Sequence, residues 1–112
     1  MADPVLSSIP MYLIQILLPL ADNAGQPFPN QEYARVRAEL TEHFGGLTAY
    51  SRAPAEGLWK EGAARASHDD IVVFEVMSSK LDRNWWSRYR ATLEERFRQD
   101  VIVIRAQSVE LL

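Results

Sequence analysis

Two stretches decide the fold: Met11 to Leu18, MYLIQILL, and Asp70 to Met77, DIVVFEVM. Both are rich in β-branched and aromatic residues, which favour a pleated, half-buried strand. The first stops at Pro19 and runs into the turn-like stretch Ala21 to Pro29. Side chains alternate along a strand, so each stretch divides into two faces. Tyr12, Ile14, Ile16 and Leu18 share one face of the first, and Val72, Phe74 and Val76 share one face of the second. These sets are apolar throughout and predict the side that packs under helices. On the opposite faces, Leu13, Gln15 and Leu17 accompany Ile71, Val73, Glu75 and Met77, so a single polar residue stands near the middle of each strand.

The intervening segments supply the helices. Asn30 is a plausible N-cap for a helix to about Phe44, with Tyr33, Val36, Leu40 and Phe44 at helical spacing and Gly45-Gly46 as its stop. Asp82 caps a second helix whose inner stripe is Trp86, Tyr89, Leu93 and Phe97. Leu47 to Arg52 predicts a second strand, resuming near Leu58-Trp59-Lys60 after a bulge or loop in the aperiodic segment Ala53 to Ser67. Val101 to Leu112 predicts the last strand, with Ile102, Ile104 and Ala106 on the helix side. Two tandem strand–helix–strand units give an α+β domain of ferredoxin-like type, β-α-β-β-α-β. Its four-stranded antiparallel sheet is covered on one side by two helices. Strands one and three are expected at the centre and parallel, with strand four beside strand one and strand two beside strand three. No linker, repeat or low-complexity tract divides residues 1–112, so one domain is expected.

Composition narrows the function classes. The chain has no cysteine, which excludes disulfides, thiolate chemistry and cysteine metal sites and fits a cytoplasmic location. A net charge of −3 gives no electrostatic reason to expect nucleic acid or an anionic membrane as partner. The apolar run Ile9 to Leu20 is interrupted by Pro10, Gln15 and Pro19 and has no Lys or Arg before it. It is too short for a span and lacks the basic start of a signal peptide.

The sheet face away from the helices is the informative one. To its central residues the strand periodicity adds Thr48, Tyr50 and Arg52 on one flank and Val101, Val103, Arg105 and Gln107 on the other. Such a face is too apolar for a solvent-washed surface and too polar in its middle for a plain core. A second copy of the chain over this face satisfies the first condition, and a lined cavity between the copies satisfies the second. Glu75 and Arg105 are therefore the candidate catalytic pair. A covered carboxylate at this place makes Glu75 a candidate general base or hydroxyl-holding group. Gln15, Tyr50, Arg52, Trp59 and His68 are the candidate ligand-binding residues. The structural alternative is that Glu75 and Arg105 form an interfacial ion pair through Gln15 that sets dimer register.

Other residues weigh less. Trp59, in GLWKEG, either stacks on a planar ligand or packs within its own subunit or across a dimer. Trp85 flanks the core stripe or meets a partner. His43 closes the first helix, and two histidines without HxxxH or HxH spacing make no metal site. Arg83, Arg88, Arg90, Arg96 and Arg98 are diluted by Glu94, Glu95 and Asp100. An RNA-binding sheet of this topology needs exposed aromatics where this chain has Gln15, Val73 and Glu75.

The order of elements and the apolar open face resemble the dimeric α+β-barrel superfamily, which includes antibiotic-biosynthesis-type monooxygenases. The stretches FGGLTAY (Phe44 to Tyr50) and GLWKEG (Gly57 to Gly62) are also similar to a group of short bacterial proteins without an assigned activity. The resemblance implies a homodimer through the open sheet face, a small apolar or aromatic ligand between the subunits, and no cofactor. It implies either a cofactor-independent, monooxygenase-like enzyme or a non-enzymatic dimerisation or ligand-binding module.

Overall fold

The computed structural model describes residues 10–45, 48–52 and 71–112, and of residues 48–52 the backbone and its pairing. The expected resumption of the second strand at Leu58-Trp59-Lys60 lies outside the described residues, as do Trp59 and His68.

The molecule is α+β. Strand β1 (Met11–Pro19) lies between β3 (Ile71–Ser78) and β4 (Val103–Val109), and the short β2 (Thr48–Arg52) runs along the outer edge of β3, giving the order β2-β3-β1-β4. All pairings are antiparallel. The expectation of parallel central strands is thereby corrected. A strand–helix–strand unit returns the chain in its original direction, and the reversal between β2 and β3 then sets β3 against β1.

Helix α1 (Asn30–Phe44) and helix α2 (Arg83–Arg96) cover one face of the sheet. Beneath them Ile14, Ile16, Leu18, Val72, Phe74 and Val76 are buried, with Val36 and Leu40 from α1 and Trp86, Tyr89 and Leu93 from α2. Phe97, just past α2, and Ile102, just before β4, complete this core. The period-two and helical patterns thus converge on one hydrophobic layer, the main source of stability in a chain of this size.

The helix ends follow local chemistry with one exception. Asp82 is the N-cap of α2, its carboxylate accepting from the Trp85 amide at 3.1 Å. Gly45 ends α1 in the left-handed conformation (φ 75°), its N–H donating to the Thr41 carbonyl at 2.8 Å. At the start of α1, Pro29 occupies the cap position and Asn30 is the first helical residue, with no side-chain cap bond. Extended backbone at Pro29 leads straight into the helix, so Asn30 is not the cap its residue type suggests.

The loop from Ala21 to Pro29 is built rather than slack. Asp22 accepts from the amides of Ala24 and Gln26, each at 2.9 Å, while Gly25 takes φ 84° and an isolated bridge pairs Ala21 with Pro27. The bond from the Gln26 amide is the main reason the Asp22 carboxyl is held below its usual value. This turn delivers Phe28 into the core, edge-on to Phe97 with ring centres 5.0 Å apart. Tyr33 then ties α1 to the end of β1, its hydroxyl donating to the Pro19 carbonyl at 2.6 Å.

The helices are joined by an ionic clamp. Arg96 donates both terminal nitrogens to Glu39, at 2.8 and 2.9 Å, and the Tyr89 hydroxyl donates to the same carboxylate at 2.8 Å. Burial works against the Glu39 charge, but the bonds from Arg96 and Tyr89 outweigh it and lower the pKa. The Arg96 pKa rises chiefly through its bonds to Glu39, and the Tyr89 pKa rises through burial and then Glu39.

Strand β4 is shorter than the expected Val101–Leu112: its pairing runs from Val103, opposite Leu17, to Val109, opposite Met11, where β1 begins. Ala106, expected under the helices, is exposed, and Ile104 is only half-buried. Being an edge strand, β4 is left incompletely covered by α2, and a cleft remains between them.

Candidate functional site

The open sheet face carries one polar row. Gln15 is the register partner of Glu75 on β3 and of Arg105 on β4, so the three stand side by side across the strands. Directly opposed side chains on one face are about 5 Å apart at Cβ, which brings long polar groups into contact. The Gln15 amide bridges its neighbours: Nε2 donates to Glu75 Oε2 at 2.7 Å, and Oε1 accepts from Arg105 Nε at 2.7 Å. An amide suits this place because it offers donors to the carboxylate and an acceptor to the guanidinium.

Around the row the face is mostly apolar, with Gln107 of β4 opposite Leu13 as an exposed polar residue at its edge. Leu13, Leu17, Ile71 and Met77 are half-buried, and Val73 is buried. Val101 and Val103 toward the β4 edge are 71% and 48% exposed, large values for valine. Glu75 and Gln15 are half-buried, while Arg105 is exposed. Among the described residues, Glu75 Oε1 and the two terminal nitrogens of Arg105 make no hydrogen bond. The row is satisfied internally and keeps an acceptor at one end and donors at the other.

Three of the expected site residues, Gln15, Glu75 and Arg105, are therefore joined. For β2 the register differs by one residue from the expectation. Ala49 and Ser51 stand opposite Glu75 and Val73, whereas Thr48, Tyr50 and Arg52 stand opposite Val76, Phe74 and Val72. Strand β2 begins just after a glycine pair, where backbone freedom leaves the register undetermined by local sequence. The described backbone thus sets Ala49 next to Glu75 in the row, not Tyr50 or Arg52.

The aromatic candidates also find places. Trp85 stacks on His43 with ring centres 4.0 Å apart and on Tyr89 at 5.0 Å, joining the ends of the two helices. Trp86 stacks on Phe44 at 5.4 Å within the core. Among the described residues no group of three His, Cys, Asp or Glu side chains converges in a way that holds a metal ion, and no helix is long and apolar enough to cross a membrane.

One cleft escaped the sequence reading. Between α2 and β4 lies a cavity of about 350 Å³ whose walls include Ile14, Trp86, Ile104, Arg83, Arg90 and Arg105. The available signal was the spacing of Arg83, Ser87 and Arg90, which puts them on the same side of α2 as Trp86. What hides the cleft is that its opposite wall comes from β4, whose incomplete coverage follows from tertiary packing. Compared with known proteins, the chain matches no family model, no curated protein and no solved structure.

Proposed function

We propose that this chain has the ferredoxin-like arrangement and acts as a homodimerising module, open face to open face, in the manner of a dimeric α+β barrel. The observation that carries this reading is the Glu75–Gln15–Arg105 row, polar and ordered at the centre of a mostly apolar face. An apolar face of this kind is covered in most proteins. The row explains why a second copy of the same chain is a suitable cover.

In a face-to-face dimer the twofold axis lies in the plane between the sheets. An axis along the strands through Gln15 brings the Glu75 end of each row over the Arg105 end of the other. An axis along the row brings Glu75 over Glu75 and Arg105 over Arg105. Close like charges are costly and close opposite charges are favourable, so the row's polarity selects the first arrangement. Glu75 Oε1 and the Arg105 terminal nitrogens then have partners across the interface. On this reading the polar row specifies orientation, and the surrounding apolar side chains supply most of the affinity.

A second reading is favoured by the exposure of Arg105 at the row's outer end. A small apolar or aromatic molecule held between the sheets places an acidic hydroxyl against Glu75 and the resulting anion against Arg105. On this reading Glu75 takes the proton, Arg105 holds the anion, and the chain is a cofactor-independent, monooxygenase-like enzyme with dioxygen as its oxidant.

Sedimentation and cross-linking test the first reading. The chain is free of cysteine, so a single introduced thiol reports cleanly. With the axis along the strands, Leu17 of each copy faces Leu17 of the other. Leu17→Cys then forms a self-paired disulfide dimer of twice 12.8 kDa, and Glu75→Gln weakens dimerisation about tenfold. A protein that stays monomeric at every concentration tested overturns the proposal. Tighter dimerisation of Glu75→Gln overturns the chosen axis. The enzyme reading requires that Glu75→Gln abolish turnover of an electron-rich aromatic substrate under dioxygen in protein that remains dimeric.

A further inference from the structure

The cleft between α2 and β4 lies on the helix side of the sheet, so its chemistry is independent of what covers the open face. Its floor is apolar, formed by Ile14, Leu81, Trp86 and Ile104. Its polar wall is Arg83, Ser87 and Arg90 of α2; Arg105 of β4 borders it but has its guanidinium bonded to Gln15 on the open face, and among the described residues no Asp or Glu lines the cleft. Arg83 makes no ion pair among the described residues. Arg90 has one, to Glu94 at 3.7 Å, with the arginine side chain 52% exposed. Such a long, solvated pair leaves the guanidinium able to take a better partner.

Arg83, Ser87 and Arg90 follow one another at i, i+4 and i+7 on one side of α2. The rise from Arg83 to Arg90 is about 10 Å, a span that two arginine side chains reaching toward each other can close over a single small anion. Ser87 stands between them and offers a hydroxyl donor. Guanidinium groups match the planar fork of a carboxylate. The cavity of about 350 Å³ is at the lower end of the size range of small-molecule sites. One compact apolar floor beneath one cationic wall suits an ion with a hydrocarbon or aromatic body. An extended polyanion needs a longer track of cations.

We propose that this cleft binds a small amphipathic carboxylate. The carboxylate sits between Arg83 and Arg90 beside the Ser87 hydroxyl, and the apolar body lies on Trp86, Ile104 and Leu81. The site needs no contribution from a second subunit and survives if the chain proves monomeric.

The test is a titration of the full chain with octanoate, 1-octanol and octylammonium, followed by the tryptophan indole N–H and backbone amide resonances. Octanoate is expected to shift the Trp86 indole and the amides of residues 104–106 and to bind about tenfold tighter than 1-octanol, while octylammonium binds weakest. Added salt weakens octanoate binding and leaves 1-octanol unchanged. The double variant Arg83→Gln, Arg90→Gln reduces octanoate affinity to the level of 1-octanol. Ala106→Phe and, separately, Ile104→Trp fill the cleft and abolish both, so failure of one variant to fold leaves the other as the measure. Equal binding of octanoate and 1-octanol, octanoate binding unchanged by the double variant, or shifts confined to residues outside the cleft each overturn the proposal.

Discussion

Removing the carboxylate of Glu39 is the sharpest test of how the two helices are held on the sheet. In Glu39→Ala the helix pair loses two charge-assisted bonds from Arg96, at 2.8 and 2.9 Å, and one from the Tyr89 hydroxyl at 2.8 Å. Arg96, whose side chain is 9% exposed, is left without its carboxylate. Breaking a fully buried pair by removing one partner costs about 3–5 kcal/mol. The Glu39 side chain is 33% exposed, and water softens the loss, so the expected cost is about 2–3 kcal/mol. Arg96→Met is expected to cost about 2 kcal/mol, because the thioether retains part of the packing while Glu39 can turn to solvent. The double variant should cost little more than Glu39→Ala, a coupling of about 1–2 kcal/mol.

The assay is urea unfolding by tryptophan fluorescence across a full double-mutant cycle, repeated as a function of pH. The Glu39 pKa is lowered in the folded protein from a reference of 4.5. The folded state therefore holds its proton less tightly than the unfolded state does. The clamp's contribution is fully present above that reference value and is lost as pH falls through the lower folded value. Wild-type stability should decline over that interval more steeply than the stability of the double variant. Additive single-variant costs, or identical acid profiles, refute the clamp as a coupled unit.

Three further outcomes follow from local geometry. Asp82→Ala removes the cap bond to Trp85 and should destabilise by about 1 kcal/mol in urea unfolding, with Asp82→Ser recovering most of it. At Gly45 an added Cβ meets nothing within 4 Å, so Gly45→Ala isolates the cost of φ 75°; about 1 kcal/mol is expected, with Gly45→Asn costing less. Gln15→Leu removes both bonds of the polar row and should cost about 1–2 kcal/mol by chemical denaturation, while circular dichroism shows the secondary structure unchanged.

Local rules made much of this architecture legible. Alternation in MYLIQILL and IVVFEVM separates buried Ile14, Ile16, Leu18, Val72, Phe74 and Val76 from the residues between them, which are half-buried except for Val73. The stripes of both helices, the Asp82 cap and the Gly45 stop are legible for the same reason, since each depends on residues within a few positions. The same locality explains where the reading departs from the structure. Asn30 has the composition of a cap, but the extended backbone of Pro29 takes that position. The β2 face assignment differs by one residue because strand pairing, not strand periodicity, decides which residue stands beside Glu75.

What tertiary structure alone decided is the meeting of distant partners. Gln15 is 60 residues from Glu75 and 90 from Arg105, and only the register of β1 with both neighbours makes its amide a bridge. Glu39 and Arg96 are 57 residues apart and meet because two independently amphipathic helices settle on the same sheet face. The cleft lies where α2 leaves the edge strand β4 incompletely covered. By itself the sequence determined which residues would be apolar or polar on each element, since side-chain periodicity is a property of the backbone's own geometry. Assembly of the sheet determined which of those polar residues became neighbours, because register and coverage are set between elements and not within them.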